Sequence, residues 1–435
     1  MRIIVTLLSM ALLMMPAVNA PARADVVPGD VIDKSNYQKI EGLVPDYIVQ
    51  WVKDGDLTMK IDELTFDPEK FLRSGFEEKI NQGRYKIGEN NILIDLKTGK
   101  ENPHPTEIRG FPFPEPDIND PALPVQILHN FNQADYITYS KGIHENQFWF
   151  VMGRGGIEKV YEVENRLTLF DPAKGKYDHG IISIFRQPFD WAGTGSMALY
   201  YMDPLKDGLR YVYAPALRKV KRMSHRLAGS EVSLPGLDAA PDDFSAHGPR
   251  TAVEEGRYTF LTEKDALVPY YTNRPGKVVM NKDGEIFLGY TNTGEKIVLG
   301  GETPGWTGAP WHTPETVWVK ERVYVFESSS INPNYRYGPC QGWMTKKTFL
   351  PVYKRITDTS GVLWKGNYFN TRAYQTEDGG YRTINHTNAM VLVDVRRDHG
   401  SVIIHGRREG GFYVHNKKDI KKSHFTRAGF IKYLR

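Results

Sequence analysis

From about residue 135 to the C-terminus, the sequence repeats short runs rich in Val, Ile, Tyr, Phe, Trp and Thr. β-branched and aromatic residues favour strands. Segments such as DPAKGKYDHG, NKDG and EDGG separate the runs and supply the Gly, Asn and Asp that hairpin turns require. The runs occupy 147–152, 159–170, 180–186, 197–202, 209–214, 257–263, 285–291, 316–327, 361–369 and 389–395. This pattern predicts a mainly β protein, and the lack of regular strand–helix–strand spacing argues against a doubly wound sheet.

Apolar and charged residues alternate within several of these runs. In the run 159–170, one parity carries Tyr161, Val163, Leu167 and Leu169, and the other carries Glu162, Glu164 and Arg166. The run 316–327 behaves similarly, with valines opposite Lys320 and Arg322. Such alternation is typical of antiparallel strands with one dry face and one wet face. We therefore expect a large, curved antiparallel sheet or open half-barrel.

A curled sheet with an apolar inner face can enclose an apolar ligand. Period-two alternation reports only that a face is dry, so a filled core fits the same pattern. If a cavity exists, we expect the residues at the alternate, apolar positions of the strand runs to line it. These candidate ligand-binding residues are Tyr161, Val163, Leu167, Leu169, Ile182, Ile184, Tyr211 and Tyr213.

Residues 1–24 have the features of a secretory signal peptide. Arg2 precedes a short apolar run, and small residues follow in ARA before Asp25. The apolar run is too short to span a bilayer comfortably. We expect export to the periplasm with cleavage after Ala24, or alternatively after Ala20, and no cysteine follows that would carry a lipid anchor.

Residues 25–125 lack the strand pattern, and we expect an irregular N-terminal segment there. Residues 67–82 (DPEKFLRSGFEEKINQ) predict one helix, because Pro68 and acidic residues open it and Gly83 follows it. The proline-dense stretch 104–124 cannot be a central strand and predicts an extended wrap. Residues 126–435 would then form the curved β domain.

The net charge and the cysteine content argue against further classes of function. The net charge is +4, and loss of Arg2 and Arg23 with the leader leaves +2, so the sequence does not suggest a nucleic-acid binder. Cys340 is the single cysteine, so no intramolecular disulfide forms. We expect Cys340 to be a half-buried, unreactive residue rather than a lone catalytic thiol, since a reactive thiol requires an exposed, electropositive setting.

Catalytic and metal motifs are weak. His399, His405 and His415 lie near the C-terminus without diagnostic ligand spacing, so we predict no metal and no cofactor. Asp242 and Asp243 could be an acid–base pair of a glycan hydrolase, but adjacent residues of an extended chain point apart. A turn explains them better. We predict that the protein is not an enzyme.

The stretch YVYAPALRKVKRMSHR carries a basic cluster, defined as Arg218, Lys219, Lys221 and Arg222. Pro215 interrupts the strand or marks its edge. Because these cations fall on both parities, they cannot all be buried, and we predict an edge strand. The cations either guard the edge against pairing with another chain or dock lipid phosphates or acidic partner surfaces.

Several ordered motifs resemble a bacterial exported family described as outer-membrane lipoprotein-sorting-protein-like, after the carrier fold of LolA and LolB. The motifs are residues 110–114 (GFPFP), Tyr211 and Tyr213 followed by 218–222 (RKVKR), 242–244 (DDF), 264–270 (KDALVPY), 313–327 (TPETVWVKERVYVFE), and Leu363 with Trp364. Their order and spacing match from about residue 105 to the C-terminus. The basic cluster departs from the family pattern, because Lys219 and Lys221 stand where arginine is usual.

The resemblance implies a curved antiparallel sheet wrapped around a helical or loop plug, with an apolar cavity. It also implies a periplasmic role beside inner-membrane exporters of the resistance-nodulation-division type and outer-membrane proteins. We therefore expect a carrier or chaperone for a lipid or another hydrophobic molecule. An exported hydrolase and a structural adaptor for a membrane transport complex are the alternatives.

Overall fold

A computed structural model describes residues 25–72, 76, 78–138, 142–224, 235–244, 253–288, 297–405 and 413–434. The expected signal peptide, residues 1–24, lies outside these described residues. The described helices are α1 (Asp46–Asp54), α2 (Leu123–Thr138) and α3 (Arg427–Tyr433). Across the described residues, no helix combines the length and apolar character needed to span a bilayer.

Nineteen of the described strands form one sheet, and two more form a separate hairpin. The first group of strands is β1 (Val31–Ile32), β2 (Met59–Ile61), β3 (Tyr85–Ile87), β4 (Leu93–Asp95), β5 (Ile143–Gly153), β6 (Gly156–Leu169), β7 (Tyr177–Gln187), β8 (Gly195–Tyr201), β9 (Leu209–Ala214) and β10 (Lys219–Ser224). The second group is β11 (Gly256–Tyr270), β12 (Gly276–Lys277), β13 (Val279–Met280), β14 (Ile286–Leu288), β15 (Val317–Ser330), β16 (Cys340–Thr345), β17 (Pro351–Thr357), β18 (Leu363–Gln375), β19 (Arg382–Asp394), β20 (His399–His405) and β21 (Tyr413–His415). The separate hairpin is β3 with β4.

The main sheet is predominantly antiparallel. Antiparallel pairs lead from β10 through β9, β8, β7, β6, β5, β20, β19, β18, β17, β16 and β15 to β11. The end of β11 then returns to β18, where Tyr270 pairs with Thr371, so this part of the sheet closes into a partial ring. Three short parallel pairings, β11 with β18, β12 with β18 and β2 with β15, are the exceptions. The predicted fold class, a curved and mainly antiparallel sheet, is confirmed.

The sheet has two faces, which two neighbouring cross-strand rows define. On the core face, the row is Trp343, Tyr353, Tyr368, Val391, Val402 and Phe150. On the opposite face, the row is Gly342, Lys354, Asn367, Leu392, Ser401 and Val151. Side chains alternate between faces along a strand, so these two rows point in opposite directions. One face is therefore apolar in this region, and the other mixes apolar, polar and charged side chains.

Helix α1 covers part of the core face. It follows Pro45 and ends at Gly55, whose φ of 82° is favourable for glycine. Tyr47 and Trp51 are buried in the same apolar cluster as the core-face row. The sheet accepts these aromatic rings because it carries glycine beneath them: a Cβ on Gly366 would lie 2.6 Å from the Tyr47 ring. Farther along, Phe430 of α3 packs on the core face of β7 and β8.

Two elements cover the opposite face. Helix α2 packs Leu123, Leu128 and Phe131 against Tyr324 and Phe326 of β15. Residues 235–244, which we call the strap, pack beside it on β5, β18, β19 and β20. We call this side of the sheet the strap face. A helix and an irregular segment thus occupy the place that the sequence assigned to a helical or loop plug.

Two local predictions were wrong. The described part of 67–82 holds only a short 3-10 turn, Pro68–Phe71, with Asp67 accepting a hydrogen bond from the Glu69 amide, and residues 78–82 are not helical. The helix of this region is instead α1, which the sequence analysis missed. The wet side expected opposite the valines of β15 is dry at Tyr324 and Phe326, because α2 covers it.

Candidate functional site

The strap crosses the strap face from β6 to β17. Near its start, the Tyr161 hydroxyl of β6 donates to the Pro235 carbonyl at 3.0 Å. The Asp238 amide then donates to the Ser401 hydroxyl of β20 at 2.9 Å. At the far end, the Asn367 amide of β18 donates to the Asp243 carbonyl at 3.3 Å. These hydrogen bonds join strap backbone groups to side chains of the sheet, so the strap lies across the strands.

The strap also supplies apolar contacts. Leu237 and Ala239 are buried in one cluster with residues of the strap face, and Phe244 packs against that cluster with its ring centroid 5.9 Å from that of Trp149. We call six residues of this cluster the apolar patch: Val151, Tyr161, Phe369, Met390, Leu392 and Ile403. They come from five adjacent strands. An irregular segment therefore shields this continuous apolar surface from water.

Buried charges hold the strap's second half. Asp243 is 0% exposed and pairs with Lys365, which is 2% exposed, at 2.5 Å. The same carboxylate oxygen accepts a hydrogen bond from the Tyr337 hydroxyl at 3.2 Å and from the Ala240 amide at 2.8 Å. Lys365 also donates to the Tyr337 oxygen at 2.8 Å. Breaking one partner of such a buried pair is costly, because it leaves an uncompensated charge in a low-dielectric interior.

Asp242 forms the neighbouring contacts. Its carboxylate accepts a hydrogen bond from the Tyr335 hydroxyl, and its backbone carbonyl accepts one from the ammonium of Lys354, which is 0% exposed. Burial raises the pKa of both Tyr335 and Tyr337, and the nearby aspartates raise it further, so both phenols stay protonated and can donate. Asp242 and Asp243 lie in the short 3-10 turn Pro241–Asp243, which confirms the turn predicted for them.

Cys340 borders this network and is 1% exposed. Burial raises the pKa of its thiol to about 12, since the nearby Lys354 opposes the shift only in part. The thiol therefore stays protonated at neutral pH, and a thiolate is needed for nucleophilic reactivity. Cys340 is therefore more deeply buried than the half-buried residue that we predicted, and its protonated thiol agrees with the prediction that it is unreactive.

Asp238 anchors the middle of the strap. Its carboxylate bonds to the His399 ring, to Arg397 at 2.9 Å and to the Ser401 hydroxyl at 3.2 Å. Burial raises the pKa of Asp238 above its ordinary value, although His399 and Arg397 act in the opposite direction. Three acidic residues of the strap thus meet basic or hydroxyl groups of the sheet and its loops.

The eight residues selected as ligand-binding candidates do not share one face. Tyr161, Val163, Leu167 and Leu169 lie on the strap face. Ile182 and Ile184 pair with Arg166 and Glu164, and they lie with Tyr211 and Tyr213 on the core face. Those four residues pack around Phe425 and Phe430 near the C-terminus. The alternation of side chains between the two faces was predicted correctly within each run. That alternation alone does not show which residues of different runs lie on the same face.

Six of the eight candidates are buried, and Tyr161, Val163, Ile182 and Ile184 are at most 1% exposed. A side chain that lined an open cavity would present surface to water, so these four do not border one in this conformation. Their role in ligand binding stays a prediction. A ligand could reach Tyr161 and Val163 only if the strap moved.

Described residues also form three open clefts, with volumes of about 530, 710 and 690 Å³. Charged residues stand in the wall of each, among them Asp203, Glu377 and Lys100. None of the residues lining these three clefts belongs to the strap or to the apolar patch. These three clefts are therefore separate from the apolar surface beneath the strap.

The basic cluster lies where the sequence placed it. Among the described strands, β10 pairs only with β9, so it is an edge strand. The 3-10 turn Pro215–Leu217 joins the two strands, and all four cations of the cluster are exposed. Arg218 itself lies in the turn, with φ at 49°. The predicted edge is confirmed, whereas docking of a partner stays a prediction.

The three C-terminal histidines do not converge. His399 contacts Asp238 and Glu158, His405 lies 2.7 Å from Glu145, and His415 lies 3.2 Å from the Tyr381 hydroxyl. Over the described parts of the chain, no group of three or more His, Cys, Asp or Glu residues is arranged to hold a metal ion.

The sequence analysis missed the lysines that hold the strap. Lys354 and Lys365 each interrupt an apolar strand run, PVYKRIT and VLWKGNYF. The available signal was a charged residue at an inward-facing position of a strand, because lysine is rarely buried without a partner. Glu164 was also misassigned to a wet side: it is 8% exposed and bonds to His144 at 2.8 Å and to Arg186 at 2.8 Å.

Several solved structures are similar to this chain at low sequence identity. A domain from Vibrio parahaemolyticus, provisionally named an outer membrane lipoprotein-sorting protein domain, has 15% identity and a TM-score of 0.44, with 70% of this chain and 97% of that chain covered. A DUF1329 family protein from Desulfovibrio piger has 16% identity and a TM-score of 0.45, with 69% and 95% covered. A LolA superfamily protein from Nitrosomonas europaea has 13% identity and a TM-score of 0.37, with 68% and 97% covered.

No curated protein has a sequence that matches this chain. The family described as "Protein of unknown function (DUF1329)" matches residues 31–430. That span includes α1, the strap, every buried partner of the strap and the basic cluster. The match confirms the resemblance seen in the ordered motifs, and the chain belongs to the DUF1329 family.

Proposed function

We propose that this protein is a periplasmic carrier or chaperone that binds a lipid or another hydrophobic molecule and assists its transport toward the outer membrane. One observation carries the proposal: residues 235–244, which take part in none of the described strand pairings, cover the apolar patch. An apolar molecule that displaced the strap would find a continuous surface on five strands.

Binding of the apolar part of the molecule would depend on removing its surface from water. Each methylene group that leaves water contributes about 0.8 kcal/mol, so ten buried methylenes contribute about 8 kcal/mol. That gain has to exceed the free energy that the strap loses when it leaves the sheet. Release then requires a state in which the strap rebinds or a partner takes the ligand.

The basic cluster is our proposed contact with partners. Three of its four exposed cations stand on the edge strand β10, and Arg218 lies in the turn that precedes it. Arginine and lysine at an exposed edge suit lipid phosphates or acidic protein surfaces. The family resemblance suggests an inner-membrane exporter of the resistance-nodulation-division type and outer-membrane proteins as those partners. Sequencing the N-terminus of the exported protein tests the location, and we expect it to begin at Asp25.

Native mass spectrometry of gently purified protein tests the carrier function. We expect additional mass from a bound hydrophobic molecule, which organic extraction then releases for identification. Denatured and refolded protein serves as the ligand-free control, and it should take the extracted molecule up again. Repeated preparations without bound lipid, together with no uptake by the refolded protein, would contradict the proposal.

A further inference from the structure

Two lysines of the strap face are buried, and both bond to the strap. Lys354 and Lys365 stand on the neighbouring strands β17 and β18, and both point to the strap face. Their exposed fractions are 0% and 2%. Burying an ammonium group is expensive unless an oxygen acceptor of suitable geometry meets it. The acceptors here include groups of the strap, 112 and 122 residues away along the chain.

Four donors converge where the strap places Asp242 and Asp243. Lys365 and Tyr337 both donate to one carboxylate oxygen of Asp243. Tyr335 donates to the carboxylate of Asp242, and Lys354 donates to its carbonyl. All four donors belong to the sheet or to the β15–β16 connection, so they remain in place if the strap leaves. Two ammonium groups and two phenols then face a single space, which matches the chemistry that binds a carboxylate or a phosphate.

The apolar patch begins next to this space. Along β18, Lys365 and Phe369 point to the same face, four residues or about 13 Å apart. Along β19, Asp394 is followed on the same face by Leu392 and Met390. The strap face therefore changes from charged to apolar along adjacent strands. A molecule with an anionic head and an apolar tail has the same order of groups.

We propose that Lys354, Lys365, Tyr335 and Tyr337 form the binding site for the anionic head of an amphiphile, and that Asp242 and Asp243 of the strap occupy this site when no ligand is bound. The inference rests on the proposed carrier function, and it names the class of ligand. The apolar tail lies along Phe369, Leu392 and Met390. The strap acts as an internal competitor, because its carboxylates use the donors that the ligand head needs.

Binding of three probes with sixteen-carbon tails tests the head-group site. Palmitate carries a carboxylate, 1-palmitoyl lysophosphatidate carries a phosphate, and hexadecanol carries no charge. We expect the mature protein, residues 25–435, to bind at least one anionic probe tenfold or more tightly than hexadecanol. The tighter of the two anionic probes identifies a carboxylate or a phosphate as the head group.

Variants then assign the preference to these residues. The double substitution K365M with D243N removes both members of the buried pair, so no unpaired charge is left, and it should bring the anionic and neutral probes within about twofold of each other. Tyr337→Phe removes one donor with little change in volume and should reduce the preference about threefold. D243N alone weakens the internal competitor and should tighten palmitate binding threefold or more.

A control removes a partly buried ion pair formed by residues outside the strap. Lys417 and Glu285 lie 3.1 Å apart, and K417M with E285Q should retain the full preference for anionic probes. Equal affinity of the wild type for anionic and neutral probes would overturn the head-group site but leave the carrier function. The site is also overturned if the preference persists in both Y337F and the K365M/D243N pair. Absence of binding by all three probes would overturn the carrier function as well.

Discussion

The two faces of this sheet are covered by different means. On the core face, an apolar row that runs from Trp343 to Phe150 packs under α1 and its neighbours, with Tyr353 and Tyr368 fully buried. On the strap face, the matching row contains Lys354, Asn367 and Ser401, and an irregular segment supplies their partners. The same strands build both faces, so strand formation does not explain the difference.

The difference indicates which cover can be exchanged. Apolar packing is non-directional, and its loss exposes surface that water cannot satisfy. Polar groups and charges on the strap face need acceptors and donors, but any molecule that offers the same groups can satisfy them. The core face therefore stabilises the fold, and the strap face is the one to which our proposal assigns reversible binding. The predictions below test that contrast.

The largest expected effect on the free energy of unfolding comes from replacing one phenylalanine on each face with alanine. Phe148 on the core face is 0% exposed, whereas Phe244 at the end of the strap is only half-buried. Phe148→Ala should lower the free energy of unfolding by about 3–5 kcal/mol, as for a fully buried phenylalanine. Phe244→Ala should lower it by only about 1 kcal/mol, since about half of the apolar area is at stake. Urea unfolding measures both, and equal losses would contradict the contrast between the faces.

Glu164 provides a test on the core face itself, where it is a buried carboxylate. Burial would raise its pKa, but hydrogen bonds from His144 and Arg186 outweigh this effect and lower the pKa to about 2. Because the folded pKa lies below the unfolded value of 4.5, the contribution of Glu164 is complete above pH 4.5 and is lost as the pH falls toward 2. Glu164→Gln should cost about 1.5–3 kcal/mol at pH 7.

The same variant should also depend less on pH. Unfolding free energies measured at pH 7, 4 and 3 should fall more steeply for the wild type than for Glu164→Gln. Glu377→Gln is the control, because Glu377 is 87% exposed and should leave the slope unchanged. A variant whose acid sensitivity equals that of the wild type would show that the Glu164 network does not stabilise the core face.

A smaller effect is expected from adding one methyl group to the core face. A Cβ on Gly400 would lie 2.6 Å from the Trp311 ring, which is 1% exposed and has little room to move. Gly400→Ala should therefore lower the free energy of unfolding by about 1–3 kcal/mol. Gly155 has no atom within 4 Å of the corresponding position, so Gly155→Ala is the control and should be close to neutral. Thermal unfolding of the two variants makes the comparison.

The smallest effect on stability is expected outside both faces. Replacing all four residues of the basic cluster with serine should change the free energy of unfolding by less than about 0.5 kcal/mol, because each is exposed on the edge strand β10 or in the turn that precedes it. The same variant should sediment less with vesicles that contain anionic lipid. Unchanged vesicle binding would leave the cluster as a guard of the sheet edge. A large loss of stability would show that the edge supports one of the faces.

Local chemistry gave most of the strands correctly. All ten runs identified from residue type and turn signals overlap strands, and β9 and β10 meet at the turn expected from Pro215. Helices were harder to predict, because helix-like capping signals at Asp67 and Pro68 produce only a single 3-10 turn. In α1, the apolar spacing of Tyr47, Ile48, Trp51 and Val52 was a signal that the sequence analysis passed over.

The candidate site was only partly predictable. The DDF motif and the turn at Asp242 and Asp243 were visible in the sequence, but their partners were not. Lys365 lies 122 residues from Asp243, and no local pattern relates the two positions. The ligand-binding candidates do not share one face because of the strand register. The candidates on β7 and β9 lie on the same face as Glu164 and Arg166 of β6, whereas the candidates on β6 lie on the other face.

By itself, the sequence determined the class of the fold, the edge at β10 and the family, because these depend on residue type, turn chemistry and ordered motifs. Only the tertiary structure decided which side of each strand faces inward and what covers it. Parity is a local property, whereas the orientation of each strand depends on its pairing with its neighbours. The partners of buried charges likewise come from distant parts of the chain, so only folding shows that Lys365 is held by Asp243.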